Sequence, residues 1–100
     1  MIDTAVRPTG AVLAVSGVLD AESVLGLQAS GAQWIKGDAP QQFTLDLADV
    51  QYSSSAGLAL LLDWLRTAGA CGKQARIAHM PADMQALVRV SGLENLLPVA

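Results

Sequence analysis

The hydrophobic residues in the middle of the chain follow the spacing of a helix. After three consecutive serines, Ser53 to Ser55, leucines recur at the i, i+3, i+4 and i+7 positions that share one helix face: Leu58, Leu61, Leu62 and Leu65. The run from Phe43 to Leu47 alternates apolar and polar residues and predicts a strand. We therefore predict that a helix begins at Ala56 and that the serines lie on a strand-to-helix connection, a kind of segment that often carries function.

The first part of the chain predicts a hairpin and a helix. Residues 11–15 form an apolar, β-branched run between turn residues and predict a strand, paired with a short strand at residues 4–7 through a turn at Pro8-Thr9-Gly10. Asp20 has the position and chemistry of a helix N-cap, with Ser23 three residues on. The helix that follows is predicted to have one apolar face, which is formed by Val24, Leu27, Gly31, Trp34 and Ile35.

The second part of the chain alternates between the same two kinds of element. Gly37 to Pro40 end the first helix, and residues 75–79 predict a further strand. A helix is predicted from about Ala82 to Val90, followed by a shorter terminal helix that ends near Pro98. Because strands and helices alternate after the hairpin, we predict one α/β domain over residues 1–100, with a mixed, mostly parallel β-sheet and helices packed mainly on one face.

The length and charge of the chain limit the classes of protein to which it can belong. A chain of 100 residues with 52% hydrophobic content suffices for one domain with a real core and leaves no room for two. Six basic residues against nine acidic ones give a net charge of −3, and no cluster of Lys or Arg occurs. Binding to nucleic acid, or to an anionic membrane through a basic patch, therefore has no support.

The cysteine content and the first residues favour the cytosol. The single cysteine, Cys71, excludes an internal disulfide, and with His79 as the only histidine a zinc site built from Cys and His is not expected. Residues 1–10 lack the basic and apolar regions that a signal peptide requires. No stretch approaches the roughly 18 uninterrupted apolar residues of a membrane span, so we expect no direct membrane insertion.

The serine loop has a structural and a functional interpretation. A hydroxyl before the first turn of a helix can accept a hydrogen bond from a free N–H, and the positive end of the helix dipole favours an anion. The loop is therefore either a helix cap alone or a binding segment. A serine-nucleophile enzyme is disfavoured, because His79 is the only histidine and no G-x-S-x-G motif occurs. We expect no catalytic residue, no metal and no cofactor.

The central helix also carries apolar residues opposite its leucine stripe. At roughly 100° per residue, Leu60 and Trp64 are predicted to point away from the sheet, together with Ala56, Asp63 and Thr67. An exposed Trp and Leu beside a hydroxyl loop are typical of a protein-binding patch. The alternative is that the terminal helix, near residues 93–97, covers Trp64. Gly57 is predicted to let the first turn of the helix approach other backbone closely.

Three stretches of the chain together carry a family resemblance. They are Ser16-Gly17-Val18-Leu19-Asp20, Leu45-Asp46-Leu47 and the loop from Val50 to Leu58. This arrangement resembles the STAS domain over nearly the whole chain. STAS domains are shared by anti-sigma-factor antagonists, sulfate-transporter tails and MlaB-type transporter subunits. In the antagonists the loop typically reads Asp-Ser-Ser-Gly-Leu, with the first serine phosphorylated; aligned on the Gly-Leu pair, that serine is Ser55, and Ser54 occupies the acidic position.

The MlaB branch is the closer match. Its loop reads Asp-Thr-Gly-Gly-Leu followed by Ala-Leu-Leu-Leu, and residues 57–62 read Gly-Leu-Ala-Leu-Leu-Leu, with Ser55 in the place of the threonine. Ser54 replaces the acid and Ala56 the first glycine. The resemblance implies a small cytoplasmic subunit, peripheral to the inner membrane, that binds the MlaF-like ATPase of an ABC transporter and, through the complex, the membrane permease. Such a transporter moves phospholipid between the membranes of a Gram-negative envelope and supports outer-membrane lipid asymmetry.

Two functional hypotheses follow from the resemblance. In the first, the domain regulates or stabilises a transporter ATPase without chemistry of its own, through a partner-binding set: Ser53, Ser54, Ser55, Ala56, Gly57, Leu60 and Trp64. In the second, it is an anti-sigma-factor antagonist whose Ser55 is phosphorylated by a kinase partner, which adds roughly −1.5 to −2 charge at the helix start. The Gly-Leu-Ala-Leu-Leu-Leu run and the missing acid before Ser55 favour the first hypothesis.

Overall fold

Within residues 3–99, which the computed structural model describes, the chain forms one four-stranded sheet and three helices. Its strands are β1 (Ala5–Thr9), β2 (Val12–Leu19), β3 (Gln42–Ser53) and β4 (Gln74–Ala78), and its helices are α1 (Ser23–Lys36), α2 (Ser55–Ala70) and α3 (Ala82–Val90). The strands lie in the order β1-β2-β3-β4. The pair β1–β2 is antiparallel and the other two pairs are parallel, which confirms the predicted mixed, mostly parallel α/β sheet.

The helices gather on one face of the sheet. Along β2 the buried positions alternate with half-buried ones, and Leu13, Val15 and Leu19 on one face are fully buried. The central helix α2 contacts α1 on one side and α3 on the other, so the three helices lie side by side in one layer. The core therefore lies between this layer and the sheet, as predicted.

The strand β2 is longer than its hydrophobic run indicates. The predicted strand ended at Val15, but β2 continues through Ser16 and Gly17 to Leu19. The register with β3 shifts there, and Gly17 adopts a φ of 90°, a conformation that favours glycine. Thr4 contacts the strand at this register shift, where its Oγ1 accepts a hydrogen bond of 3.0 Å from the backbone N–H of Val18. A bulge, and not a turn, explains the Ser-Gly pair.

The hairpin between β1 and β2 turns slightly later than predicted. Pro8 and Thr9 belong to β1 and pair with Leu13 and Val12, so the turn itself is made at Gly10 and Ala11. Gly10 has a φ of 59°, which suits a tight reversal. The predicted pairing of the two strands is confirmed, and only the position of the turn was wrong.

The predicted terminal helix is wrong, whereas α3 has the predicted bounds. After α3, Gly92 with a φ of 70° reverses the chain, and residues 93–97 form turns only. The segment then runs beside β4, where the N–H of Ile77 donates to the carbonyl oxygen of Pro98 at 2.9 Å. A run of five residues is too short to hold a helix by itself, and pairing with the strand edge gives its backbone partners.

The predicted exposure of Leu60 and Trp64 is also wrong. Trp64 has no exposed surface and Leu60 is 4% exposed, because α1 packs across both. Gly31 of α1 makes this approach possible, since a Cβ at that position would overlap the indole ring. The indole N–H donates to the carbonyl oxygen of Gln28 at 3.2 Å. The cover comes from α1, and not from the chain terminus that the sequence offered as the alternative.

Candidate partner-binding site

The serine loop lies at the carboxyl edge of the sheet. Ser53 ends β3 opposite Leu19, which ends β2, and the next N–H, that of Ser54, donates to the carbonyl oxygen of Leu19 at 2.8 Å. On the other side of β3, pairing with β4 stops at Asp46 and Ala78. The last residues of β3 therefore extend past β4. Ligands of open α/β sheets commonly bind outside this edge.

The three serines of the loop have three different environments. Ser53 is 2% exposed, and its hydroxyl donates to the carbonyl oxygen of Ser54 at 3.0 Å. Ser54 is half-buried and caps α2, because its Oγ accepts a hydrogen bond of 3.2 Å from the N–H of Ala56. Ser55 is the first residue of α2 and is exposed. Ser55 is therefore the serine of this loop whose side chain is most open to a partner.

The loop departs from the pattern of the STAS domains it resembles without losing the helix start. Ser54 stands where the resemblance places an acid, and Ser and Asp are about equally good N-caps. Ser54 has an extended backbone and makes the cap hydrogen bond. The substitution therefore preserves the geometry of the first turn and removes one negative charge next to Ser55.

Gly57 packs tightly against the end of the sheet. A Cβ on Gly57 would overlap the Oγ of Ser53 and would come within 2.9 Å of the Cβ of Leu19. The predicted close approach is confirmed, but the groups approached are side chains and not backbone. Because no larger residue fits, the first turn of α2 is seated directly on the ends of β2 and β3.

Asp20 fixes the neighbouring strand-to-helix connection. Its Oδ1 accepts from the N–H of Ser23 at 2.8 Å, and the Oγ of Ser23 accepts from the N–H of Asp20 at 2.9 Å. The hydrogen bond from the Ser23 backbone is the main reason that the pKa of Asp20 is lowered. The predicted capping bond is present, but α1 begins only at Ser23, so Glu22 and not Asp20 directly precedes the helix.

A further carboxylate reaches the loop from α3. The Oδ2 of Asp83 accepts a hydrogen bond of 3.2 Å from the N–H of Ser53. The contact from Asp83 was not predicted from sequence, since 30 residues separate it from Ser53. The only signal was an acidic residue in the first turn of a predicted helix, a common position for Asp.

A shallow groove between α1 and α2 begins at Ala56, the residue after Ser55. Its lining is mostly small or apolar and comprises Ala21, Val24, Gln28, Ala56, Ala59, Leu60 and Asp63. Gln28 and Asp63 are joined across it by a hydrogen bond of 2.9 Å. Of the predicted partner-binding set, Ser53 to Gly57 come together at the start of α2. Leu60 contributes only an edge to the groove, and Trp64 is enclosed beneath α1.

The only histidine is paired with an aspartate. The Nδ1 of His79 lies 2.9 Å from the Oδ1 of Asp46, which also accepts from the N–H of Ala48 at 3.0 Å. Burial raises the pKa of Asp46, but the hydrogen bonds from His79 and Ala48 and the charge of the His79 ring outweigh it, so the net pKa is lowered. The partner of His79 is thus a carboxylate on β3.

We predict that the Asp46 carboxylate makes folding sensitive to acid. Its folded pKa lies below the ordinary value of 3.8, so near that pH the unfolded chain binds more protons than the folded chain. The stability it contributes is present above 3.8 and is lost as the pH falls through the folded pKa. Urea unfolding from about pH 6 to about pH 3 measures this loss. Asp46→Asn should weaken the pH dependence, although Asp20 still contributes in the same direction, and an unchanged dependence would contradict the assignment.

Residues 3–99 contain neither a cluster of metal ligands nor a helix suited to cross a membrane. In this range no three His, Cys, Asp or Glu side chains are grouped closely enough to hold a metal ion. No helix in the same range has the length and apolar character needed to cross a membrane.

The chain matches a known protein family over almost its whole length. Residues 2–98 match the family model described as "Mlab, STAS domain". The chain therefore belongs to the STAS_2 family. No curated protein matches the sequence.

Three solved structures show the same fold. The chain is similar to an anti-sigma factor antagonist from Mycobacterium paratuberculosis, with 22% identity, 99% of this chain and 85% of that chain covered, and a TM-score of 0.77. It is also similar to the phosphorylated form of the Bacillus cell fate determinant SpoIIAA, with 19% identity, coverage of 95% and 88%, and a TM-score of 0.69. For the unphosphorylated form of SpoIIAA the identity is 17%, the coverage 84% and 79%, and the TM-score 0.65.

Proposed function

We propose that this STAS domain is a non-catalytic subunit that binds and regulates, or stabilises, the ATPase of an inner-membrane ABC transporter for phospholipid. The observation that carries the proposal is the exposed Ser55 side chain at the start of α2, in a chain matched over residues 2–98 by the family model named for Mlab. Ser55 stands where the MlaB-type loop has its threonine. The domain is then cytoplasmic and reaches the inner membrane through its ATPase partner and the permease.

The surface around Ser55 supports binding in preference to catalysis. Ser53 is buried, Ser54 is engaged in capping, and the only histidine pairs with Asp46. A serine hydroxyl without an adjacent base is a weak nucleophile. The groove between α1 and α2 begins at Ala56, the residue after Ser55, and offers a partner small, apolar contacts there.

The second candidate function is that of an anti-sigma-factor antagonist switched by phosphorylation. Two observations favour it: the fold is similar to such antagonists, one of them in a phosphorylated form, and Ser55 is exposed enough for a kinase to reach. No Lys or Arg occurs in residues 17–22, 50–57 or 78–85, the segments that form this edge. A phosphate on Ser55 would thus gain only the helix N-terminus as a partner within the domain, and its main effect would fall on binding.

Affinity purification from the native host tests the two candidates. The tagged chain, purified under mild conditions, is expected to bring down an ABC-transporter ATPase and its permease, both identified by mass spectrometry. A small GHKL-type kinase in their place would favour the antagonist function. Recovery of neither class, with the tagged chain folded by circular dichroism, would contradict both.

The localisation is tested in the same cells. We expect the chain to sediment with inner membranes when the transporter ATPase is present and to remain in the soluble fraction when the ATPase gene is deleted. Membrane association that persists without the ATPase would contradict attachment through that partner.

A further inference from the structure

We propose that Asp83 is a positioning residue that holds the serine loop in its binding conformation from outside the loop. This inference rests on the proposed function, because it concerns how the loop presents Ser55 to the ATPase. Asp83 does not need to touch the partner. It acts through the backbone N–H of Ser53, two residues before Ser55.

The end of β3 requires such a partner. The N–H of Ser54 points to β2 and bonds to Leu19, so the N–H of Ser53 points to the opposite side of the strand. On that side β4 has already ended, since its last pairing is Asp46 with Ala78. Without Asp83, the N–H of Ser53 would face that side and find no hydrogen-bond acceptor on a neighbouring strand. Ser53 is 2% exposed and this contact is partly buried, so a backbone donor left there without an acceptor is costly and the local backbone would rearrange.

The carboxylate of Asp83 is itself held in place. Its second oxygen, Oδ1, accepts a hydrogen bond of 2.9 Å from the N–H of Met84, whose side chain is fully buried. Asp83 lies in the first turn of α3, where the helix dipole favours a negative charge. The carboxylate thus bridges the start of α3 and the end of β3, and it can restrain the loop because α3 is anchored in the core.

The restraint passes from Ser53 to the start of α2. The Ser53 hydroxyl donates a hydrogen bond to the carbonyl oxygen of Ser54, the residue whose side chain caps the helix. The same hydroxyl lies against Gly57. A shift of the Ser53 backbone would disturb both contacts. If the correctly placed loop is then only fractionally populated, the apparent affinity for the partner falls by that fraction.

Three variants test this role. Asp83→Ala removes both hydrogen bonds, Asp83→Asn keeps an acceptor oxygen but removes the charge, and Asp38→Ala removes an exposed acid from the turn after α1, at the opposite end of the sheet. Two quantities are measured for each: hydrogen exchange of the Ser53 amide by NMR, and the dissociation constant for the purified transporter ATPase. Thermal melts report folding.

In Asp83→Ala the hydrogen of the Ser53 amide should exchange faster than in the wild type. The affinity for the ATPase should be about tenfold weaker, as expected if the binding-competent loop falls to about one tenth of the population. Asp83→Asn should stay within about threefold of the wild-type affinity, because the amide oxygen still accepts from Ser53. Asp38→Ala should match the wild type in both measurements.

Other results would overturn the proposal. Wild-type affinity in Asp83→Ala would show that the loop does not depend on this contact. An equal loss in Asp83→Asn and Asp83→Ala, with Ser53 exchange unchanged, would show that the charge contacts the partner directly. If the wild-type chain does not bind the ATPase, the proposed function fails, and unchanged Ser53 exchange in Asp83→Ala then overturns the positioning role by itself.

Discussion

Trp64→Ala is expected to destabilise the domain by about 3–5 kcal/mol, the usual cost of truncating a large aromatic residue in a core. Trp64 has no exposed surface, and its indole N–H is bonded to the carbonyl oxygen of Gln28. For a domain of this size the melting temperature should fall by roughly 12 °C or more, or the variant should fail to fold. Thermal and urea unfolding followed by circular dichroism measure the loss.

Two glycines of α1 provide a matched control for this interface. Gly31 faces the indole so closely that a Cβ would overlap it, whereas a Cβ on Gly26 would meet nothing within 4 Å. Gly26→Ala should therefore stabilise the domain by up to about 1 kcal/mol through helix propensity alone. Gly31→Ala gains the same propensity but forces apart two packed helices, so its net effect should be destabilising.

The interface is confirmed if the pair of glycine variants shifts stability in opposite directions. Combining Gly31→Ala with Trp64→Phe should then be less harmful than the sum of the two single changes, because the smaller ring leaves room for the new methyl group. Stability close to that of the wild type in Trp64→Ala, or an equal gain from both glycine changes, would contradict the packing of α1 on α2.

The error over Trp64 shows what periodicity can and cannot predict. A helix on a sheet has one apolar stripe, and the leucine stripe of α2 gave the correct face for Leu58 and Leu61, both buried. The middle helix of three is covered on its flanks as well, and this depends on which helices are neighbours. Gly31 was assigned to the apolar face of α1, but only the packing of the two helices shows that its missing side chain makes room for the Trp64 ring.

The loop was predictable to the extent that its interactions are local. The position of the serines before α2, the capping of that helix and the close packing of Gly57 all involve residues near one another in sequence or repeat a known motif. Which of the three serines is buried, which one caps α2 and which one is exposed depends on the residue at which β3 ends. The contact from Asp83 depends on the early end of β4, which brings a residue 30 positions away to the loop. Neither leaves a periodic signal.

Ser55→Asp is expected to abolish binding to the proposed partner, the transporter ATPase, while leaving the domain folded. In the free domain the new carboxylate lies at the first residue of α2, where the helix dipole should stabilise it by about 0.3–1 kcal/mol. The nearby Asp20 and Asp83 offset part of this gain, and no Lys or Arg lies in the segments of this edge to add to it. In the complex the charge must leave water, which costs several kcal/mol unless the partner supplies a cation.

The choice of controls for this prediction follows from the serine environments. Ser55→Asn has the shape of the aspartate without its charge, so it separates a steric effect from an electrostatic one, and it should retain more binding than Ser55→Asp. Ser53→Ala is a poor control, because Ser53 is buried and its hydroxyl bonds to Ser54. Capture of the ATPase by each purified variant, with melting temperatures recorded alongside, gives the comparison. Undiminished capture by Ser55→Asp would remove Ser55 from the interface, whereas equal losses in the Asp and Asn variants would mean that the site selects for size and not for charge.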